Sequence, residues 1–254
     1  MGVWVIAHRG ASSEAPENTM AAFRRAVEAG AEFIETDLQL SRDARLVAVH
    51  DDMLDRTTNA RGPVTAKTLE ELRQLDAGSW FTGAGFSGDG SGGAPQESFA
   101  GQRIPTIEEI LAFGREHDIG LYLEMKTPAV SGAEHTLVGA LRASGEIMRT
   151  VVLSFDLSQL AKVRRFEPLI VTGHLCDKPA PDAVRKAVEN GSRQLLPRAD
   201  CVTSELLKEA HASDLKVVTW TVNEPEQAAA LVAAGVDGII TDYPREMLAL
   251  LARK

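Results

Sequence analysis

Short apolar runs alternate with amphipathic stretches along this chain. The runs Val3–Ala7, Phe33–Leu38, Leu121–Met125, Val151–Phe155, Leu169–Leu175, Gln194–Leu196, Val217–Val222 and Gly238–Thr241 read as strands. Between them, Thr19–Ala29, Ile107–Glu116, Glu134–Ala143, Leu157–Phe166, Ala180–Glu189, Ser204–Ala212, Pro225–Ala234 and Pro244–Ala252 carry helical patterns. Strands that alternate with crossover helices imply parallel pairing, hence an α/β protein. Eight such units in 254 residues predict a (β/α)8 TIM-like barrel, with a doubly wound open sheet as the competitor.

An internal echo supports repeated units. Residues 26–37 read AVEAGAEFIETD and residues 231–242 read LVAAGVDGIITD, with six of twelve positions identical. Both copies run helix, glycine stop, buried strand, acidic strand end. Gly30 and Gly235 fit the residue after a helix, where a left-handed backbone favours glycine. Any two αβ units share some of this pattern, so the echo alone does not establish duplication.

One stretch breaks the rhythm. About eighty residues separate the second and third strands. They open with a hairpin, Leu38–Leu40 turning through Ser41–Arg45 into Leu46–His50, and continue through a short helix near Leu69–Leu75. The glycine-rich run Gly83–Gly93 then reads as a loop. Residues 1–254 are expected to form one barrel domain with a small insertion at about 51–105. The insertion leaves from a strand's C-terminal end, so it should cover that mouth.

Candidate chemistry clusters at strand ends. Glu35 and Asp37 lie two apart, so both side chains leave the same face of a strand. Adjacent carboxylates repel unless a proton or cation lies between them. Their oxygens suit a hard divalent cation, and Glu124 ends the next strand as a third donor. Lys126, two residues on, either neutralises a carboxylate or holds a phosphate oxygen. His8 ends the first strand and is followed by Arg9 and Gly10. Histidine moves protons near neutrality, and arginine grips phosphate through parallel N–H bonds. His50 becomes the second proton carrier if the hairpin leans into the mouth. His117, His135 and His211 are expected to carry no chemistry, and His174 is ambiguous. Asn18 is expected to cap the helix that follows it, with substrate contact as the alternative.

The ordered set His8-Arg9-Gly10, Pro16-Glu17-Asn18-Thr19, Glu35-Thr36-Asp37, His50-Asp51, Arg56-Thr57-Thr58-Asn59 and Pro105-Thr106 resembles the glycerophosphodiester phosphodiesterase family, of the bacterial cytosolic type. Leu123-Glu124-Met125-Lys126, Ser154-Phe155, Trp220-Thr221-Val222-Asn223 and Thr241-Asp242 extend the resemblance over nearly the whole chain. It implies a barrel with a small inserted subdomain. It also implies Glu35, Asp37 and Glu124 as ligands of one divalent cation, with Mg2+ ahead of Ca2+ or Mn2+. His8 and His50 would be the acid–base pair, and Arg9 would hold the phosphate; independently of the resemblance, His8 is assigned as base and His50 as acid, an order the sequence leaves open. Trp220 and Phe155 would line the substrate pocket. The stretch Gly83–Gly101 departs from the family in length and pattern.

Bulk composition narrows the choice. Acidic residues outnumber basic ones, 36 to 27, for a formal charge of −9. That disfavours nucleic acid as a partner and, mildly, anionic membranes. No run approaches the ~20 apolar residues of a membrane span, and no secretory leader is evident, so a cytoplasmic enzyme on a small-molecule glycerophosphodiester is expected. Two cysteines without metal-ligand spacing imply neither a zinc site nor a disulfide scaffold. The alternative activity is a lysophospholipase D or a phospholipase C-like barrel phosphodiesterase, which would need an apolar channel or a membrane-facing surface. A glycosidase pairing Glu35 with Glu124 would have no use for Arg9 and two histidines. A non-catalytic phospholigand-binding relative would be expected to have lost a ligand or a histidine.

Overall fold

The computed structural model describes residues 2–83, 98–126, 132–178 and 181–252. Strands β1 (Trp4–His8), β2 (Phe33–Leu40), β4 (Gly120–Met125), β5 (Thr150–Ser154), β6 (Val171–Cys176), β7 (Gln194–Pro197), β8 (Lys216–Thr219) and β9 (Gly238–Thr241) form a parallel sheet. Pairing of β1 with both β2 and β9 closes it into an eight-stranded barrel. The short strand β3 (Leu46–Ala48) pairs antiparallel with β2, placing Leu38 opposite Ala48 and Leu40 opposite Leu46.

Helices α1 (Met20–Ala29), α3 (Ile107–Glu116), α4 (Ala133–Ser144), α5 (Leu157–Phe166), α6 (Ala183–Asn190), α7 (Ser204–Ala212), α8 (Pro225–Ala234) and α9 (Pro244–Leu251) make the outer layer, and α2 (Leu69–Arg73) belongs to the insertion. The two echo glycines both follow a helix in the left-handed conformation, Gly30 at φ 86° and Gly235 at φ 103°. No helix among the described residues is long and apolar enough to cross a membrane.

Several boundaries move from expectation. The strand expected over Val217–Val222 stops at Thr219 because its ladder to β9 ends there; Trp220 makes only an isolated bridge to Arg198. The strand expected from Leu169 begins at Val171, and Leu169 is an exposed turn residue. The helix expected from Ala180 begins at Ala183; Ala180 itself, and the glycine-rich run after Gly83, lie outside the described residues.

Strand alternation fills the barrel in layers. Trp4, Phe33 and Tyr122 form an aromatic floor, with ring centroids 5.8 Å and 5.3 Å apart. Gly120 makes room for it, since a Cβ there would sit 2.4 Å from the Phe33 ring. Two residues further along the strands, Ile6, Leu153, Leu175, Leu196, Val218 and Ile240 pack an aliphatic layer. The next inward positions, His8, Phe155 and Trp220 among them, line the mouth.

A second apolar zone lies between the barrel and its helices, where Phe23 of α1 faces Phe113 of α3 at 6.2 Å. Phe23 is fully buried, so Phe23→Ala is expected to destabilise the fold by about 3–5 kcal/mol. Denaturant unfolding followed by circular dichroism checks this; a loss below about 1 kcal/mol would show that the site collapses around the deletion.

The segment from β3 to α3 has its own small core of Val47, Val49, Leu54, Val64, Leu72 and Ile104. Thr68 and Thr106 each close a reciprocal capping box, with Glu71 and Glu109, at the starts of α2 and α3. Arg73 forks onto Glu109 at 2.7 and 2.8 Å, tying α2 to α3. The segment is thereby held beside the C-terminal ends of the barrel strands.

Candidate active site

The mouth is built where β1, β2 and β4 end side by side. His8 stands opposite Glu35 in the β1–β2 register, and Asp37 opposite Glu124 in the β2–β4 register. Glu35, Asp37 and Glu124 each present an oxygen within 4.8 Å of the others. Glu35 and Asp37 are buried. Burial, with the Asp37 charge beside it, pushes the Glu35 carboxyl up to about 8. Burial and Asp37 also raise Glu124. Asp37 goes the other way: burial would raise it, but Arg9, Lys126 and His50 hold it at about 2. Lys126 reaches Glu124 at 2.9 Å and Asp37 at 3.4 Å, so its ammonium sits among these acids. Three crowded carboxylates, with Glu35 raised by burial and by Asp37, are a donor set whose repulsion a divalent cation relieves.

His8 is fixed by Asp242, whose Oδ1 lies 2.6 Å from Nδ1, leaving Nε2 4.0 Å from Glu35. Burial would lower the His8 pKa, but the Asp242 hydrogen bond and the Glu35 charge outweigh it and raise the pKa. Asp242 is held in turn by Asn223 Nδ2 at 2.6 Å and Ser12 Oγ at 2.8 Å. Burial would raise Asp242, yet His8 brings it down to about 2. Asp242→Asn is expected to lower the His8 pKa by removing the charged acceptor. An NMR titration of the ring in the metal-free protein reads this directly, and an unmoved pKa would assign the shift to Glu35.

Arg9 takes a left-handed backbone, φ 58°, which costs a non-glycine residue energy and is concentrated at functional turns. Gly10 follows at φ 83°, where a Cβ would lie 2.6 Å from the Ala22 backbone on α1. This close turn aims the Arg9 amide at Glu35 Oε2, 3.0 Å away. Its guanidinium lies between Glu17 at 2.7 Å and Asp37 at 3.3 Å. Among the described residues only Nη1 makes a hydrogen bond, which leaves other N–H donors for an anion.

His50 lies beyond the end of β3, and the hairpin does bring it to the mouth. Val49 N–H bonds Asp37 O at 3.1 Å, and Gln39 Nε2 donates to the carbonyls of His50 and Asp51. Asp51 Oδ1 is 2.6 Å from His50 Nδ1. Burial lowers the His50 pKa, and the nearby Arg9 charge adds to this.

A cavity of about 220 Å³ is lined by His8, Arg9, Glu35, His50, Glu124 and Lys126 on one side, and by Phe155 and Trp220 on the other. Those two rings meet edge to face at 5.7 Å, with the indole N–H anchored on Leu196 O at 2.7 Å. A second cavity, of about 340 Å³, opens from His8 and Arg9 toward Trp80, Phe81 and Tyr243. All nine sequence-predicted residues therefore gather at one mouth, with Asp37 buried just beneath the rest. His117, His135 and His211 lie against Phe113, Phe166 and Asp237, away from it. His174 is buried on β6 beside the inward Leu175 and lines neither cavity.

Asn18 corrects an expectation. The cap of α1 is Thr19, whose Oγ1 accepts from Ala22 N. Asn18, at φ 55°, donates instead to Asp37 Oδ2 at 2.8 Å and accepts from Thr36 Oγ1 at 2.6 Å. It orients a buried carboxylate. Sequence reasoning gave no role to Asp242, Asn223, Asp51, Glu17 or Arg56. All five nonetheless lie within the motifs that carry the family resemblance, and the echo aligns Asp242 with Asp37.

The model of the glycerophosphoryl diester phosphodiesterase family matches residues 8–246. The glycerophosphodiester phosphodiesterase of Caldanaerobacter subterraneus subsp. tengcongensis is 36% identical over 100% of this chain and 99% of its own. That of Bacillus subtilis is 32% identical over 95% of this chain and 84% of its own. An Oleispira antarctica phosphodiesterase, solved in complex with the product sn-glycerol-3-phosphate, superposes with a TM-score of 0.85 at 28% identity, covering 99% of this chain and 97% of that one.

Proposed function

The chain belongs to the glycerophosphoryl diester phosphodiesterase family, and from that premise we propose that it hydrolyses glycerophosphodiesters to glycerol 3-phosphate and an alcohol by metal-dependent, two-histidine catalysis. The observation that carries this is the convergence of Glu35, Asp37 and Glu124 within 4.8 Å of one another, with Glu35 and Glu124 lining one cavity together with His8, His50 and Arg9. Glu35, Asp37 and Glu124 would hold one divalent cation, Mg2+ by preference, with Ca2+ or Mn2+ as alternatives. When bound, it supplies Lewis-acid stabilisation of charge on a phosphoryl oxygen.

The remaining work belongs to the chain's own side chains. Arg9 binds another phosphoryl oxygen through its unused N–H donors. One histidine takes the proton of the nucleophile, either water or the neighbouring glycerol hydroxyl. The other gives a proton to the departing alcohol. Asp242 and Asp51 hold the two rings by their Nδ1 atoms, which presents both Nε2 atoms to the substrate. In the cation-free chain the Asp242 hydrogen bond and the Glu35 charge raise the His8 pKa against its burial, while burial lowers that of His50. Glu35 would be engaged with the cation when it is held there, so the pH–rate limb lost in each single variant decides which histidine is base and which is acid. Phe155 and Trp220 cover the glycerol carbons, and Lys126 holds Glu124 and Asp37 in place.

Purified protein with Mg2+ is expected to release choline and glycerol 3-phosphate from glycerophosphocholine faster than it attacks a lysophospholipid at equal concentration. A preference for the lysophospholipid would overturn the substrate assignment in favour of a lysophospholipase D. No release from either substrate, with any of the three cations, would overturn the activity.

A further inference from the structure

Arg56 has no part in the chemistry above, yet it touches both halves of the site. It lies in the insertion, five residues after Asp51. Its Nε donates to Asp51 Oδ2 at 2.7 Å and its Nη2 to Asp51 Oδ1 at 3.1 Å. Its other edge meets Glu17, Nη1 to Oε2 at 2.7 Å and Nη2 to Oε1 at 2.8 Å. Each carboxylate passes the contact on. Asp51 Oδ1 holds the His50 ring at 2.6 Å, and Glu17 Oε1 accepts from Arg9 at 2.7 Å. Glu17 comes from the loop after β1 and Asp51 from the insertion, so this one guanidinium joins the two parts of the mouth. Two edges meeting two carboxylates is a geometry that a lysine point charge does not reproduce.

We propose that Arg56 is a positioning residue that clasps the insertion to the barrel mouth and sets His50 and Arg9 at a fixed separation for one phosphodiester. The roles of His50 and Arg9 rest on the proposed function; the clasp itself does not. Without Arg56, Glu17 has a free oxygen and can take a second N–H from Arg9, drawing that guanidinium off the phosphate. Asp51 would still hold His50, but both would drift together with the insertion. The Arg56 side chain is 44% exposed, and exposed ion pairs contribute little to stability. A merely structural role therefore predicts near-normal melting and near-normal activity, whereas positioning predicts normal melting with impaired activity, because misplacing reacting groups by ~1 Å costs on the order of 10²-fold.

The test compares wild type, Arg56→Met, Arg56→Lys, Asp51→Asn and the double variant R56M/D51N, all with Mg2+. Arg56→Met is expected to lower kcat about 10- to 100-fold and to raise KM, with an unchanged melting midpoint. Lysine should restore a minor part. The double variant should lose less than the product of the two single losses, because both variants remove the Arg56–Asp51 contact. Activity within twofold of wild type, full recovery with lysine, or multiplicative losses would each overturn the clasp. A readout independent of turnover is the histidine ¹⁵N spectrum: the His50 ring resonances should be sharp in wild type and shifted or broadened in Arg56→Met, as the ring, still held by Asp51, moves with the insertion relative to the mouth. An unchanged His50 signal would sink the clasp even if the proposed reaction failed, while a changed one beside an inactive wild type would leave the clasp standing and remove only the reaction.

Discussion

His50→Ala is expected to lower turnover of glycerophosphocholine about 10²–10⁴-fold while leaving the barrel folded. The side chain is about one-third exposed and stands beyond the end of β3, outside every barrel ladder. Its removal opens no core cavity, so the thermal midpoint should stay close to that of wild type. His8→Ala should cost a similar factor, with one difference. It leaves Asp242 held by Asn223 and Ser12 but without its histidine, so the Asp242 pKa should rise from its depressed value. If each histidine handles one proton transfer, the single variants should lose opposite limbs of the pH–rate profile. Two variants that both retain near-wild-type kcat would eliminate the acid–base pair. Loss of activity in step with loss of melting temperature would instead assign a structural role.

Exhaustive chelation is expected to reduce activity to background, and added Mg2+ to restore it. Lewis-acid stabilisation of the transition state is worth several kcal/mol, and ~4 kcal/mol corresponds to roughly 10³-fold in rate. The crowded carboxylates also set the pH dependence. In the cation-free protein Glu35 titrates at about 8, well above an ordinary carboxyl, because burial and Asp37 disfavour its charge. A cation must displace that proton, so its apparent affinity should fall as pH drops below about 8. Calorimetry in buffers of different ionisation enthalpy would register the released proton.

The same shift has a stability consequence. An acid whose folded pKa is raised above its unfolded value destabilises the fold increasingly as pH climbs from the ordinary carboxyl range to the raised value. Glu35→Gln should therefore stabilise the cation-free protein, with a gain that grows up to about pH 8, while weakening metal binding and activity. Full activity after chelation, or a Gln variant that binds the cation as wild type does, would eliminate the metal assignment.

Local chemistry accounts for what could be read from the amino-acid order alone. Side chains alternate along a strand whatever it pairs with, so Glu35 and Asp37 had to share a face. Eight apolar runs separated by amphipathic helices left a barrel or an open sheet. Glycines after helices marked Gly30 and Gly235 before any contact was known. His8 and Glu124 stood at strand ends, where a barrel places its chemistry, whereas Trp220 came from the family resemblance because its strand was expected to run on to Val222. Boundaries were less legible, because a strand ends where its partner does, as Val217–Val222 stopping at Thr219 illustrates.

Tertiary structure alone decided the partners. Closure sets β1 beside β9, so Asp242 reaches His8 across 234 positions of sequence. Asn18 read as a cap because Asn commonly is one; its left-handed backbone and its bonds to Thr36 and Asp37 exist only once α1 packs over β2. Likewise, the approach of His50 to the mouth depends on Gln39 and on the small core beneath the hairpin, and the span of Arg56 between Glu17 and Asp51 depends on both. Periodicity assigns a residue to a face, but which residue it meets there is fixed by the register of distant segments, and that register emerges only when the barrel closes.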